Sequence, residues 1–421
     1  MGSTKYISSM GELSRKDNSL CFRKNEKNIY IPIENTKEIY CLNEISINSK
    51  LLDFLGKNNI VVHFFNYYGG YSGSFYPRNQ YNSGKLLVKQ VEKFKDNRIE
   101  IAKAIVKGIG ANIDEVLYHY YKHGKSEVKE CIDWIRENLY KLVDKTEDIK
   151  ELLAYEGEIW MRFYSMFQYF INEDFILDKR VKRPPDNPIN ALISFGNTLL
   201  YTKTISAIYR THLDQRISFL HEPSEGRFSL SLDISEAFKP VIVYKTIFDL
   251  VNNKRIQVAK HFEKSLNYCI LNEEGRQIFI EAFENRIEST FLHTKLNRKI
   301  SYRTAIKLDC YKLIKNILEK MDIHTIVSGD GTHHKDIIQR IESIIKKYEK
   351  SIPVVLVNEK YTTEMAKQWY WKENNPYGLN RFLPQGLRTI PVPVDDYVAW
   401  ILGRIFLGLA KPENVKHKKN R

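Results

Sequence analysis

Apolar residues change their spacing near residue 82, from a pattern typical of strands to one typical of helices. Before that point, runs rich in β-branched and aromatic residues alternate with turns that carry Asn, Lys and Gly. One short helix is predicted at Ser49–Gly56, and Gly69–Gly70 would form the turn of a hairpin. The pattern indicates a small β-sandwich. Its predicted strands are Tyr6–Ser8, Ser19–Phe22, Asn28–Ile33, Glu38–Cys41, Ile60–Phe65 and Tyr71–Tyr76.

From Ser83 onward the spacing predicts helices. The first would bury Leu86, Leu87, Val91 and Phe94, and the second, which begins at Arg98, would bury Ile101, Ala104 and Ile105. Lysines would then face outward on both helices. Such stripes are either solvated faces or contacts for phosphate. The lysines are Lys85, Lys89, Lys93, Lys103 and Lys107.

Residues 190–250 form the most informative stretch. They begin with an apolar helical run that contains Gly196. Because glycine costs a helix about 1 kcal/mol relative to alanine, its presence predicts close packing against another helix.

Three polar residues in the same stretch indicate a metal site. His221 precedes Glu222–Pro223, so it should lie at a helix end or in a loop. Asp233 and Glu236 are three positions apart and would share one face of a helix. Carboxylate oxygens suit magnesium or manganese, and a neutral imidazole adds a borderline ligand. Glu156, followed by Gly157, is the best upstream candidate for a further carboxylate.

Spacing alone leaves a second interpretation open. Asp233 could cap a helix, Glu236 could be solvated, and His221 could be an ordinary turn histidine. The basic loop at residues 178–188 also has two interpretations. Its prolines exclude a regular helix. It would either grip a DNA backbone or serve as a surface linker. Its basic residues are Lys179, Arg180, Lys182 and Arg183.

The charge of the chain favours a polyanionic partner, and its cysteines favour a reducing compartment. The 421-residue chain carries a formal net charge of +14, with a pI of about 9.2, although a lysine-rich proteome would also raise the charge. Five widely spaced cysteines without a CxxC pair argue against a disulfide framework or a structural zinc site, and for the cytoplasm. No signal peptide or membrane span is predicted.

Several segments together resemble the Cas1 family of CRISPR-associated integrases, specifically its type I-B branch. The order and spacing of the segments match as well as their residues. The matching segments are Glu156–Gly157, RPP with NALISFGNTLLY at Arg183–Tyr201, LDQRISFLHEP at Leu213–Pro223 and RFSLSLDISEAFKP at Arg227–Pro240.

The resemblance implies an α+β fold with three parts. Residues 1–82 would be a β-sandwich that mediates homodimerisation, and residues 83–320 an all-α catalytic domain. Residues 321–421 would be a small C-terminal α/β extension that the resemblance does not cover. The extension is weakly similar to the carboxy-terminal half of RuvC-like nucleases, but knuckle cysteines and a first-strand aspartate are missing. We therefore expect an appendage for packing or partner binding.

The resemblance also implies a function and a set of site residues. Glu156, His221 and Glu236 would be catalytic and would ligate Mg²⁺ or Mn²⁺, with Asp233 in support. The reaction would be attack of a prespacer 3′-hydroxyl on a phosphodiester of a CRISPR repeat, as part of antiviral defence. The same site would cleave DNA with water as the nucleophile. DNA would be bound by Arg98, Lys179, Arg180, Lys182, Arg183 and Arg227.

The implied partners are double-stranded DNA, a second copy of the chain, a small Cas2 protein and, in this branch, often a Cas4 nuclease. Two other functions remain open at this point. The chain could be a casposon-like transposase that uses the same fold, or a non-catalytic scaffold for DNA or proteins.

Overall fold

The chain forms two compact units, Met1–Glu319 and Lys320–Arg421. The computed structural model describes residues 3–77, 83–182, 184–265, 268–318, 325–331, 334–347, 351–373 and 395–411. No helix in these ranges has both the length and the apolar composition that crossing a membrane requires.

The first unit begins with two four-stranded sheets that enclose a shared core. One sheet has the order β1-β5-β7-β8 and the other β4-β3-β2-β6. The helix α1 (Ser49–Lys57) adds Leu51, Phe54 and Leu55 to the core between them. The strands are β1 (Ser3–Ile7), β2 (Gly11–Lys16), β3 (Ser19–Lys24), β4 (Lys27–Pro32), β5 (Thr36–Cys41), β6 (Ile45–Ser46), β7 (Val61–Phe65) and β8 (Tyr71–Phe75).

The predicted sandwich is confirmed, but two of its strands were not predicted. Strand β2 contains a single fully buried residue, Leu13, and β6 is only two residues long. The predicted hairpin is present, since β7 and β8 pair antiparallel. Gly69 lies in its turn with φ of +78°, a conformation that glycine adopts without strain.

Alternating side chains on β5 join the sandwich to the helices. Ile39 and Cys41 face the sandwich core, whereas Tyr40 belongs to the core of the helical part. This follows from the two-residue period of a strand. Two polar contacts reinforce the junction: the Lys203 ammonium donates to the Thr4 hydroxyl at 2.8 Å, and His63 bonds to Ser206 at 2.7 Å.

The helical part is built around two helices, α2 (Gly84–Lys122) and α6 (Pro188–Tyr209). Helix α2 is interrupted at Asn97, whose φ and ψ of −157° and 47° are not helical, so Arg98 opens its second half. Its other helices are α3 (Lys129–Trp134), α4 (Tyr140–Lys145), α5 (Ile149–Ser165), α7 (Ser229–Lys239), α8 (Lys245–Asn252), α9 (Val258–His261), α10 (Glu273–Glu288) and α11 (Tyr302–Leu318).

Two π-helical segments and two hairpins complete the unit. The π segments are Ile135–Leu139 and Pro240–Tyr244, the second of which directly continues α7. The hairpins pair β9 (Phe262–Lys264) with β10 (Cys269–Leu271), and β11 (Thr290–His293) with β12 (Arg298–Ser301). All five cysteines are free and buried.

Two predictions about the second half of α2 were wrong. Ala104 is exposed, and Lys103 is only 7% exposed. The Lys103 ammonium donates to Glu147 at 3.1 Å and to the carbonyl of Asp144 at 3.3 Å. It is held by a neighbouring loop and does not belong to an outward stripe.

The second unit contains a parallel pair of strands. Strands β13 (Ile326–Gly329) and β14 (Val354–Val357) pair in parallel, with α12 (His334–Lys347) between them in the chain. A helical crossover is the usual connection between parallel strands. Two further helices follow, α13 (Thr362–Glu373) and α14 (Asp395–Phe406).

Candidate active site

Two helices and one loop carry the residues of the predicted metal site. Glu156 lies on α5, and Asp233 and Glu236 lie on α7, as their spacing predicted. His221 lies in the loop between α6 and α7. Asp233 is completely buried, Glu236 is 5% exposed, and Glu156 and His221 are half-buried.

Asp233 anchors the loop that carries His221. One carboxylate oxygen accepts the backbone N–H groups of Phe219 and Leu220, at 2.6 and 2.9 Å. The other accepts the backbone N–H of His221 at 3.0 Å and its ring Nδ1 at 2.9 Å. Because a carboxylate only accepts, Nδ1 donates and Nε2 remains available to a ligand. Asp233 therefore supports the site by orienting the imidazole.

Arg98 holds the same loop from the opposite side. Its Nε donates to the carbonyl of Phe219 at 2.8 Å, and its terminal nitrogens donate to Leu220 and to the Glu222 carboxylate. The side chain is 16% exposed. The sequence predicted a DNA contact at this residue, and the structure shows that its guanidinium is hydrogen-bonded to the loop. Arg98 is a positioning residue.

The charges of Glu156, Glu236 and His221 act on one another. Burial and the negative charge of Glu236 raise the pKa of Glu156, against the effects of Lys239 and His221. Burial alone would lower the pKa of His221. The hydrogen bond and charge of Asp233, together with Glu236 and Glu156, raise it instead. The structure thus brings the three predicted ligands into one electrostatic cluster.

Lys239 belongs to this cluster, and the sequence interpretation missed it. Its ammonium donates to the carboxylate of Glu236, one helical turn earlier, and lies 5.9 Å from the centre of the Trp160 ring. The signal was available, because residues three apart on a helix are neighbours. Trp160, four positions after Glu156, follows the same rule, and its side chain acts to lower the pKa of Glu156.

The donor chemistry of the cluster fits a divalent cation. Two carboxylates and an imidazole nitrogen match the preferences of Mg²⁺ and Mn²⁺. Burial and the charge of Glu236 raise the pKa of Glu156, and a cation would offset both effects. In the described conformation, however, no three His, Cys, Asp or Glu side chains are arranged to share one ion. Lys239 supplies the positive charge at Glu236.

The basic loop contributes one lysine near the cluster. Loss of water and the charges of Lys239 and Arg180 lower the pKa of Lys182, while Glu236 and Glu156 oppose that shift. Arg180 is instead bound to the start of α6, through Asn190 at 2.8 Å and Ser194 at 2.9 Å. Lys179 is exposed, and Arg183 lies outside the described residues.

Arg227 is exposed on the far side of the His221 loop. It donates to the carbonyl of Glu222 at 3.0 Å. It lines a groove of about 660 Å³ between this loop and strand β8, together with Tyr71, Tyr201 and Arg216. Its free surface is compatible with the predicted DNA contact.

Comparison with protein families gives a match over most of the first unit. The model described as "CRISPR associated protein Cas1" matches residues 5–285. A curated relative from Thermodesulfovibrio yellowstonii, named CRISPR-associated endonuclease Cas1 2, is 46% identical over 333 residues. That alignment covers 78% of this chain and 100% of the relative.

Solved structures give the same result. A Cas1 protein from Thermotoga maritima is 37% identical, with a TM-score of 0.67, and the match covers 76% of this chain and 98% of that one. A structure titled "Casposase bound to integration product" also has a TM-score of 0.67, covering 82% of this chain and 99% of that one. At 18% identity, this second similarity supports the fold alone.

Proposed function

The chain belongs to the Cas1 family, and we propose that it is a metal-dependent DNA integrase and endonuclease. It would insert short prespacer duplexes into a CRISPR array by attack of a 3′-hydroxyl on a repeat phosphodiester. The observation that carries this proposal is the mutual electrostatic influence of Glu156, His221 and Glu236 in a chain of this family.

Glu156, Glu236 and Nε2 of His221 would hold Mg²⁺ or Mn²⁺. The cation would stabilise negative charge on the phosphate oxygens and favour the deprotonated attacking hydroxyl. Asp233 keeps the proton of the neutral imidazole on Nδ1, so that Nε2 carries the free lone pair. The buried hydrogen bonds of Asp233 and Arg98 fix the loop, which reduces the reorganisation needed when substrate binds.

Lys239 and Lys182 would bind the substrate. Both ammonium groups lie within the electrostatic reach of Glu156 and Glu236. Lys239 now donates to Glu236, and with a divalent cation held by that carboxylate its ammonium would be available for a non-bridging oxygen of the scissile phosphate. Such contacts position a DNA backbone without reading its sequence.

The partners follow from family membership. We propose that the chain acts in the cytoplasm as a homodimer on double-stranded DNA, together with a small Cas2 protein and in some systems a Cas4 nuclease. The net charge of +14 supports a polyanionic substrate.

Substitution of the three proposed ligands tests the site. Glu156→Gln, Glu236→Gln and His221→Ala should each lower strand transfer into a supercoiled plasmid carrying a repeat by at least about 100-fold, since even outer-shell changes cost 10–100-fold. Binding of duplex DNA in EDTA should persist. Calorimetric titration with Mn²⁺ should show weaker binding in all three variants.

Glu158→Gln is the matched control. Glu158 lies on the same helix as Glu156 but pairs with Arg162 at 2.8 Å. This variant should retain strand transfer and Mn²⁺ binding. If the three ligand variants stay as active as this control, the assignment of the site is wrong.

A further inference from the structure

The hairpin of β11 and β12, which we call the wing, has two different faces. On its inner face, Phe291 packs against Tyr302 with ring centres 4.8 Å apart, and Ile300 is 6% exposed. On its outer face, Leu292 is 59% exposed and pairs in register with Lys299. Leu296, at the tip, is 43% exposed. The apolar contacts of the inner face stabilise the hairpin, whereas the leucines of the outer face remain exposed to solvent.

The wing carries positive charge only. Residues 289–301 include Lys295, Arg298 and Lys299 and no acidic residue. Among the described residues, no ion pair is formed by any of these three side chains. The carboxylate just before the wing, on Glu288, is already paired with Arg303. This short hairpin therefore carries three exposed cations without an ion-pair partner among the described residues.

The base of the wing is connected to the helix that carries Glu236. The Arg286 guanidinium donates to the Tyr302 hydroxyl at 3.1 Å and to the carbonyl of Val241 at 2.6 Å. Val241 lies in the π segment that directly continues α7. The wing is thus held in a fixed relation to the catalytic helix, through buried and half-buried contacts.

We propose that the wing is a second contact for duplex DNA, separate from the active site. Lys295, Arg298 and Lys299 would bind backbone phosphates, and Leu292 and Leu296 would lie against the sugars. A two-stranded ribbon has the width that a major groove admits. Neutralising phosphates with lysine and arginine supplies most of the affinity for duplex DNA, independent of sequence. The inference rests on the proposed function, since it assumes a DNA substrate.

The test measures binding of a labelled duplex by fluorescence anisotropy in EDTA, across a series of salt concentrations. The variant Lys295→Gln/Arg298→Gln/Lys299→Gln removes three charges from the wing. The slope of log affinity against log salt should become shallower by roughly 0.9 for each phosphate contact that is lost. The matched control is Lys125→Gln/Lys141→Gln/Lys145→Gln. It removes the same charge from exposed positions on other elements and should keep the wild-type slope.

A second variant separates the leucines from the charges. Leu292→Ser/Leu296→Ser should weaken binding while leaving the salt slope unchanged. Circular dichroism should show that every variant is folded, because all the substituted side chains point to solvent.

The outcomes distinguish the wing from the proposed function. If wild-type protein binds duplex DNA and the wing variants bind with the same affinity and slope, the wing proposal is overturned and the integrase proposal stands. If wild-type protein does not bind duplex DNA at all, both are overturned. A shallower slope in the wing variant alone, with the control unchanged, supports the wing.

Discussion

The imidazole of His63 is completely buried between the sandwich and α6. Its two ring nitrogens bond to Ser74 at 2.6 Å and to Ser206 at 2.7 Å. Burial lowers the pKa of His63 to about 3, helped by Lys203 and Arg210 and opposed by Glu38. The neutral ring fits this position because one nitrogen can donate while the other accepts. A protonated ring would have to stay charged without water.

This burial predicts a loss of stability in mild acid. The unfolded chain takes up a proton at His63 as the pH falls below about 6.5, whereas the folded chain resists until about 3. The contribution of His63 is therefore lost as the pH falls through this window, by up to about 1.4 kcal/mol per pH unit. Urea denaturation at a series of pH values should show this slope in the free energy of unfolding.

His63→Gln should remove that part of the slope, because glutamine does not titrate. His123→Gln is the control, since His123 is exposed at the end of α2 and should leave the slope intact. Glu38 affects the pH dependence of the free energy of unfolding at lower pH. Burial opposes its ionisation, but Lys203 and Arg210 lower its pKa to about 2, so its stabilisation is lost only as the pH falls below about 4.5. An unchanged slope between pH 6.5 and 4.5 in His63→Gln would contradict the assignment.

Among the helices, α6 illustrates how one missing side chain sets a packing distance. A Cβ at Gly196 would lie 2.5 Å from the Val243 side chain and 2.8 Å from Phe279. Both contacts are closer than atoms allow, so α6, the π segment and α10 can approach only because residue 196 is glycine. The close packing that the sequence predicted at Gly196 is confirmed.

Gly196→Ala should therefore destabilise the protein by roughly 1–3 kcal/mol, the usual cost of overpacking a core. Gly108→Ala on α2 is the matched control. Its Cβ would meet the Ala237 Cβ at 3.6 Å, an ordinary contact, so it should be neutral or stabilising by up to about 1 kcal/mol. Denaturant unfolding of both variants checks the difference, and equal effects would show that the space at Gly196 does not limit packing.

Elements with apolar patterns were predictable, and elements defined by distant polar partners were not. The spacing of Asp233 and Glu236 was enough to place both on one helix face. It could not show that Asp233 would accept the N–H groups of the His221 loop, because those partners lie twelve or more positions earlier. Lys103 was misassigned for the same reason, and the hydrogen bonds of Arg98 to the loop could not be predicted. A basic residue is interpreted as a surface charge when the distant residues that accept its hydrogen bonds are unknown.

Strand β2 was missed for a related reason. Its sequence, GELSRK, is mostly polar, and only Leu13 is fully buried. It becomes a strand because β3 pairs with it on one side and β6 on the other. A half-exposed strand is stabilised mainly by the strands beside it, so its own residue propensities predict it poorly.

At the scale of the whole molecule, the first unit contains its own core. Among the described residues, the large cluster that surrounds α2, α5 and α6 runs from Tyr40 to Ile317, within the first unit. The buried residues of the sandwich core lie within residues 7–62, and Phe64 and Phe75 pack against them. Every buried residue of the candidate active site also belongs to the first unit. The described core and the candidate site of the first unit are therefore built from side chains of that unit.

A chain that ends after residue 320 should consequently keep the stability of the first unit. We expect its main thermal transition, measured by calorimetry, to occur at the same temperature as in the full-length protein and with a free energy of unfolding changed by less than about 1 kcal/mol, as for changes outside a core. The full-length protein serves as the control. A transition that is lowered by many degrees on truncation would contradict this prediction.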